Sequence, residues 1–186
     1  MKRFGTGLAS LILDDDFGVP REPQSVDKWE ESRAPVSKCL LAGEIGRSLS
    51  DLRVASESHL FRHSARTITY IWAMDGNGDI YIAVEELAET IDGMTVEGYP
   101  RRRNFPVHPA EEKKLGHPTL LMGGPARTAG ELFLDEVDGE LLWFVNVSSG
   151  RYCRITPPTD AQAGKVLERF KGLIDESVQL DDIRET

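Results

Sequence analysis

Two pairs of strand-forming runs, each separated by a short glycine-containing turn, constrain the fold of this chain more than any other feature. In the first pair, the β-branched and aromatic runs Thr67–Met74 and Ile80–Val84 flank Asp75–Asp79, which contains an Asn-Gly step. Asn-Gly and Asp-Gly supply the positive φ angles that tight hairpin turns require. The second pair, Glu131–Leu134 and Leu141–Val147, flanks Asp138-Gly139. The sequence therefore predicts two β-hairpins.

Helical periodicity is found on both sides of the hairpins. Leu41, Ile45, Leu49 and Leu52 recur at spacings of four, four and three residues, which places them on one helical stripe. This pattern predicts a helix over residues 38–54.

A second helix is predicted near the carboxy terminus. Val166, Phe170 and Leu173 have helical spacing, and Thr159 or Asp160 can cap the amino end of a helix over residues 161–174. Between the hairpins, residues 85–91 are expected as a short helix and residues 92–116 as a long surface loop, because the latter mix Gly, Pro and His with three consecutive arginines.

The first 37 residues are expected to form an extended arm. Glycine and proline recur too often there for long regular elements, although residues 26–31 can form one or two helical turns and Trp29 can attach the arm to the core. The remaining residues, 38–186, are expected as a single α+β domain. In that domain an antiparallel sheet built from hairpins packs against an amino-terminal and a carboxy-terminal helix.

Composition excludes several classes of function. The 22 Lys and Arg residues against 31 Asp and Glu residues give a net charge of -9, which disfavours nucleic acid as a partner. No apolar run approaches the roughly 18 residues of a membrane span, so no membrane partner is expected. Two cysteines, Cys39 and Cys153, indicate a reducing cytoplasm, and the amino terminus does not resemble a cleaved Sec signal.

Three local patterns suggest ligands but match known sites poorly. Asp75–Ile80 imitates the middle of a calcium loop, yet the first and twelfth ligand positions fall on Ala73 and Val84. His59 and His63 have metal-ligand spacing without an evident third ligand. The arginines at 101–103 are more typical of a solvated loop than of a phosphate site. No metal is therefore expected.

A string of spaced landmarks follows Gly116. In chain order they are His117, Thr119, Gly123, Gly124, Ala129-Gly130-Glu131, Asp138-Gly139 and Ser149-Gly150-Arg151-Tyr152. This arrangement resembles the carboxy-terminal region of the plant IQ-motif calmodulin-binding proteins and a related module at the carboxy-terminal tips of bacterial Rhs-type polymorphic toxins. The resemblance covers about residues 67–183.

Three departures from the family pattern limit what the resemblance implies. Pro118 stands at a usual Ser, Arg151 stands at the His of Ser-Gly-His-Tyr, and no IQ motif precedes the landmarks, so calmodulin is not expected as a partner. Because an arginine stays protonated, Arg151 can donate hydrogen bonds or neutralise an anion but cannot act as a general acid or base.

The landmark residues carry chemistry suited to an anionic ligand. Glycine lets a backbone approach a ligand closely, hydroxyl groups donate hydrogen bonds, and guanidinium groups bind phosphate or carboxylate. The candidate ligand-binding residues are Thr119, Gly123, Gly124, Arg127, Ser149, Gly150, Arg151 and Tyr152. His117 and Glu131 are the candidate catalytic acid and base. The alternative is that the glycines serve turns, His117 caps a strand end and Glu131 pairs with an arginine.

Two functions remain open from the sequence. The first is a bacterial effector or toxin-like domain whose cleft binds, and could act on, a nucleotide-like anionic ligand, with NAD-dependent transfer as its sharpest version. The second is a non-catalytic interaction, regulatory or immunity-type module. We expect His117, Glu131, Ser149 and Tyr152 to converge on one face. An anion receptor predicts an inward-pointing Arg151, whereas an interaction module predicts that Arg151 faces solvent or pairs with an exposed carboxylate.

Overall fold

A computed structural model describes residues 8–91, 94–100, 103 and 114–181 of the chain. These residues form six helices and nine strands. The helices are α1 (Leu8–Phe17), α2 (Lys28–Ser32), α3 (Gly43–Ala55), α4 (His59–Ala65), α5 (His117–Leu120) and α6 (Asp160–Leu173). The strands are β1 (Cys39–Leu40), β2 (Thr69–Met74), β3 (Ile80–Val84), β4 (Glu86–Ile91), β5 (Met94–Pro100), β6 (Lys114–Leu115), β7 (Thr128–Val137), β8 (Glu140–Val145) and β9 (Gln179–Leu180).

A six-stranded sheet in the order β1-β3-β2-β7-β8-β9 forms the centre of the structure. Its pairings are antiparallel except for β8 with β9, which is parallel. Strands β2 and β7, one from each hairpin, pair over six residues from Thr69 opposite Phe133 to Met74 opposite Thr128. The α+β prediction, with helices before and after a mostly antiparallel sheet, is confirmed.

Both predicted hairpins are present, because each run of β-branched and aromatic residues is followed by a turn that suits it. In the first turn, the Asp75 carboxylate accepts hydrogen bonds from the backbone N–H groups of Asn77 and Asp79, at 2.8 and 3.0 Å. Gly78 has a φ of +84°. In the second turn, Asp138 and Gly139 both have positive φ, as the Asp-Gly step predicts.

The two long predicted helices are present with shifted ends. Helix α3 begins at Gly43 rather than at residue 38, because Cys39 and Leu40 pair with β3 instead. Helix α6 begins after Thr159, whose hydroxyl accepts a hydrogen bond from the N–H of Gln162 in a capping box.

The predicted short helix over residues 85–91 is wrong, since residues 86–91 form β4. This strand pairs with β5, which begins at Met94, and with β6 in a separate three-stranded antiparallel sheet, so strand pairing overrides the helical propensity of residues such as Leu87, Ala88 and Glu89. The predicted surface loop over residues 92–116 contains β5 and β6, and much of the rest, including Arg101 and Arg102, lies outside the described residues.

Hydrophobic side chains cover both faces of the six-stranded sheet. The larger cluster contains Trp72, Leu132, Trp143, Val166 and Phe170, and packs the sheet against α3 and α6. The smaller cluster lies on the opposite face, which we call the arm face, and its buried members are Ile71, Ala73, Ala83, Leu120, Ala126, Ala129, Tyr152 and Cys153. Successive strand residues point to opposite faces, so Trp72 and Ala73 belong to different clusters.

The amino-terminal arm is partly helical and lies along the domain. Helix α1 packs against α6, Arg21 pairs with Ala126 in an isolated bridge, and the Gln24 N–H donates to the Arg151 carbonyl at 2.8 Å. The Trp29 indole donates to the Lys114 carbonyl at 3.4 Å. Within the described part of the chain, none of the helices has the length and apolar character that a membrane crossing requires.

The contact between α3 and α6 predicts a specific sensitivity to substitution. A Cβ added at Gly46 would lie 1.8 Å from the Leu173 carbonyl oxygen, so the end of α6 would have to move. We expect Gly46→Ala to destabilise the protein by about 1–3 kcal/mol, the usual cost of overpacking. In the matched variant Gly164→Ala, the new methyl meets nothing within 4 Å inside α6. That variant should gain roughly 0.5–1 kcal/mol from helix propensity.

Urea denaturation of the two variants and the wild type measures both changes. Equal effects of the two substitutions would contradict the close approach of α3 to α6.

Candidate functional site

The arm face brings together the landmark residues that the sequence singled out. Tyr152 belongs to its hydrophobic cluster together with Ala129. Glu131 lies two residues after Ala129 on β7, so strand alternation places it on the same face. Helix α5 brings His117 within 2.9 Å of the Gly130 carbonyl oxygen. These landmarks, up to 35 positions apart in sequence, thus share one face, with Ser149 in the turn that leads into Tyr152.

Gly130 permits the close approach that organises this region. A Cβ at Gly130 would lie 1.9 Å from the Asn146 carbonyl oxygen, so only glycine fits here without a shift. The Asn146 side-chain oxygen accepts the backbone N–H groups of Glu131 and Ser148, at 3.0 and 3.1 Å. Asn146 therefore fixes both β7 and the start of the loop after β8.

His117 is buried and holds a neutral ring at neutral pH. Burial lowers its pKa to about 4, although the Gly130 carbonyl and Glu85 act in the opposite direction. A carbonyl oxygen can only accept, so Nε2 carries the hydrogen and donates it to Gly130. His117 is thus poorly suited to take up a proton near pH 7.

Glu131 lies in a partly buried environment of mixed charge. Burial raises the pKa of its carboxyl group, and the nearby Glu85 raises it further, while Asn146, Lys114 and Arg103 lower it. Glu85 is itself buried and pairs with Lys114 at 2.9 Å. Glu85 raises the pKa of both His117 and Glu131, so the three side chains lie in one region.

Arg127, a predicted ligand-binding residue, joins parts of the protein to one another. Its side chain is 1% exposed and pairs with Asp14 of α1 at 2.5 Å. The guanidinium also donates to the carbonyl groups of Gly18 and Gly76. These contacts connect α1, the segment that follows it and the first hairpin turn.

The Arg151 side chain binds residues of the amino-terminal arm. Its Nη1 donates to the Ser25 carbonyl oxygen at 2.7 Å, and its Nη2 lies 3.4 Å from carboxylate oxygens of both Asp27 and Glu30. Asp27 is exposed enough to match the geometry expected of an interaction module, but Glu30 is buried. Arg151 is therefore neutralised within the chain.

The remaining landmarks form local structure around α5. The Thr119 hydroxyl donates to the Gly116 carbonyl at 2.6 Å. Gly123 has a φ of +75°, which favours glycine. The Tyr152 hydroxyl donates to the Gly124 carbonyl at 2.7 Å, and burial, reinforced by Glu22 and Glu30, raises its pKa. Thr119, Gly123, Gly124 and Tyr152 therefore serve the local structure of α5 and the turn that follows it.

An open cavity of about 270 Å³ lies beside two of the predicted ligand-binding residues, Ser149 and Gly150. Its other lining residues are Val147, Ser148, Cys153, Arg154, Pro157 and Pro158. The lining contains a cation, Arg154, and no Asp or Glu. Arg154 is exposed, and no hydrogen bond or ion pair of its side chain is found in the described part of the chain.

Sequence reasoning missed Arg154, and also Glu85, Lys114 and Asn146 near His117 and Glu131. Arg154 follows the Ser-Gly-Arg-Tyr landmark by two residues, but nothing in its spacing separates a free arginine from Arg151, which is ion-paired. Whether an arginine in this segment is paired depends on arm residues more than 120 positions away in sequence.

Neither similarity to known proteins nor a metal-binding cluster among the described residues identifies the site. Comparison of the chain with protein-family models, with curated proteins and with solved structures found no match. Among the described residues, no group of three or more His, Cys, Asp or Glu side chains is arranged to hold a metal ion. The family resemblance of the landmarks stays a prediction.

The buried neutral His117 predicts a pH-dependent stability. Below pH 6.5 the unfolded chain protonates this histidine, whereas the folded protein resists until about pH 4, so stability falls as the pH drops through this window. The contribution is roughly 3 kcal/mol at most. Replacement by Gln keeps a donor for the Gly130 carbonyl and removes the titration.

Urea denaturation of wild type and His117→Gln between pH 7 and pH 4 tests this expectation. The stability difference should shift in favour of the variant as the pH falls, and His63→Gln, at an exposed histidine, should retain the wild-type pH dependence. A difference that does not change with pH would contradict the buried neutral state.

Proposed function

We propose that this protein binds a small, nucleotide-like anionic ligand in the cavity beside Ser149 and Gly150. The observation that carries the proposal is the free guanidinium of Arg154 in a cavity whose lining includes no carboxylate. A guanidinium without an internal partner can donate two parallel hydrogen bonds to a phosphate or carboxylate group. The effector or toxin-like role implied by the landmark resemblance is part of this proposal.

A second donor for an anion is available at Ser149. Its hydroxyl oxygen accepts hydrogen bonds from the backbone N–H groups of Arg151 and Tyr152, at 3.3 and 3.4 Å. Because a hydroxyl group also carries one hydrogen, and no acceptor for that hydrogen is found among the described residues, Ser149 can donate to a ligand.

The rest of the cavity suits the apolar part of a ligand. Val147, Pro157 and Pro158 contribute hydrocarbon surface, and the space beside Gly150 is open, since a Cβ there would meet nothing within 4 Å. A nucleotide-like molecule has the two parts that this site requires, a ring that stacks on the apolar surface and an anionic group that binds Arg154.

The volume favours a ligand smaller than a dinucleotide. About 270 Å³ lies just below the roughly 300–1,000 Å³ of typical small-molecule pockets, so a single ring with one anionic group fits better than NAD. His117 and Glu131 are not among the residues that line the cavity. We therefore propose binding without assigning a transfer reaction to this pair.

The interaction-module alternative is favoured by one observation. Helix α4 exposes two large apolar side chains, Leu60 and Phe61, with 76% and 56% of their surface accessible. Neighbouring exposed apolar residues are typical of protein-binding surfaces.

Substitution of Arg154 tests the proposed ligand site. Loss of a charge-assisted hydrogen bond costs about 1.5–3 kcal/mol, so we expect Arg154→Gln to weaken binding of the best nucleotide by about tenfold or more. The matched control is Arg169→Gln, which removes an exposed arginine of α6 that does not line the cavity. The control should bind like the wild type.

Thermal shift with a panel of mononucleotides and dinucleotides identifies the ligand, and calorimetry then gives the affinities of the three proteins. A ligand at 100 times its Kd should stabilise the fold by about 2.7 kcal/mol. If no nucleotide raises the melting temperature, or if Arg154→Gln binds unchanged, the interaction module becomes the better interpretation.

A further inference from the structure

One wall of the proposed ligand cavity is formed by residues 154–157, which we call the exposed segment. Arg154 and Pro157 line the cavity, and all four residues of the segment are exposed. Among the described residues, one hydrogen bond is found that reaches the segment, from Nη1 of Arg21 to the carbonyl oxygen of Thr156. The position of this wall therefore depends on an arm residue that lies 135 positions away in sequence.

Arg21 can hold the exposed segment because its own backbone is fixed. Its N–H donates to the Ala126 carbonyl at 2.8 Å, and its carbonyl accepts the Ala126 N–H at 2.9 Å. Ala126 is fully buried in the hydrophobic cluster of the arm face. Since the backbone is already ordered, the bond to Thr156 costs only the side-chain entropy of Arg21.

The arm also contacts the chain just before the exposed segment, at Arg151. The Gln24 N–H donates to the Arg151 carbonyl at 2.8 Å, and Arg151 Nη1 donates to the Ser25 carbonyl oxygen at 2.7 Å. Arg154 lies three residues after Arg151 and two residues before Thr156. The arm thus binds the chain on both sides of the guanidinium that is proposed to receive the anion.

The residues that precede the exposed segment have further anchors inside the domain. The Tyr152 hydroxyl donates to the Gly124 carbonyl at 2.7 Å, and the Cys153 N–H donates to the Ser149 carbonyl at 2.8 Å. Tyr152 and Cys153 are both buried. Loss of the Arg21 bond should therefore release the exposed segment and leave these residues in place.

We propose that Arg21 is a positioning residue of the ligand cavity, and that the arm controls anion affinity by holding the segment that carries Arg154. This inference rests on the proposed function, because it concerns the affinity of the same site. A segment that is ordered before the ligand arrives loses less conformational freedom on binding, so the ligand binds more tightly. By linkage, an anion bound to Arg154 also stabilises the Arg21 contact.

Nitrogen-15 relaxation of the intact protein tests the positioning role without a ligand. In the wild type, the backbone N–H groups of residues 154–156 should have order parameters near about 0.85, the value of a rigid backbone. Arg21→Met removes the donors, so it should lower these values to about 0.6 or less. Tyr152 should keep its wild-type order parameter in the variant, because its anchors lie inside the domain.

Calorimetry with the four common ribonucleoside monophosphates then shows whether this position affects affinity. We expect Arg21→Met to raise the Kd of the tightest-binding nucleotide by about fivefold or more, the lower end of typical coupling effects. Arg21→Lys can still donate one hydrogen bond to the Thr156 carbonyl, so it should restore most of the affinity and of the order. The matched control is Lys28→Met, which removes an exposed cation of the same arm and should behave like the wild type.

The outcomes separate this inference from the proposed function. If the wild type binds none of these nucleotides, both fail. If the wild type binds one but Arg21→Met leaves the order parameters or the Kd unchanged, or Lys28→Met weakens binding as much, this inference alone fails. Low order parameters in the wild type would also overturn it. If Arg21→Met does not fold, Arg21→Gln, whose side chain is too short to reach Thr156, takes its place in both measurements.

Discussion

The ion pair between the buried Arg127 and the half-buried Asp14 is the contact on which the arrangement of the arm and the sheet depends. The Arg127 guanidinium binds Asp14 of α1, the carbonyl of Gly18 directly after α1, and the carbonyl of Gly76 in the first hairpin turn. A buried arginine deprived of its partner typically costs about 3–5 kcal/mol, because its charge remains without compensation. Residues more than 100 positions apart are therefore coupled by one side chain.

Contacts within the chain also occupy the polar landmark residues on the arm face. His117 and Tyr152 each donate to a backbone carbonyl of the chain, and Arg151 binds the carboxylates of the arm. A spaced pattern of polar residues can thus arise from internal hydrogen bonding, which buried polar groups require. Arg154, which lines the cavity beside Ser149 and Gly150, lies outside that pattern.

Prediction was accurate where residue pattern, turn chemistry and capping all favoured the same element. Both hairpins were predictable because strand residues, turn residues and partner strands are neighbours in sequence. Helix α6 was predictable because Thr159 and Gln162 cap it locally. The helix predicted over residues 85–91 was wrong because Leu87, Ala88 and Glu89 favour a helix by themselves, whereas pairing with β5 and β6 makes this segment a strand. Strands β1 and β9, two residues each, carry no periodicity to detect.

The sequence by itself determined the two hairpins, the helices α3 and α6 and the α+β class, because periodicity, turn chemistry and capping act within a few residues. It also predicted that His117, Glu131, Ser149 and Tyr152 converge on one face. Only the tertiary structure decided which polar groups are already neutralised. Arg127 and Arg151 meet carboxylates of the arm, whereas Arg154 meets none in the described chain. Charge pairing across such separations depends on the packed fold, and no local pattern of residues encodes it.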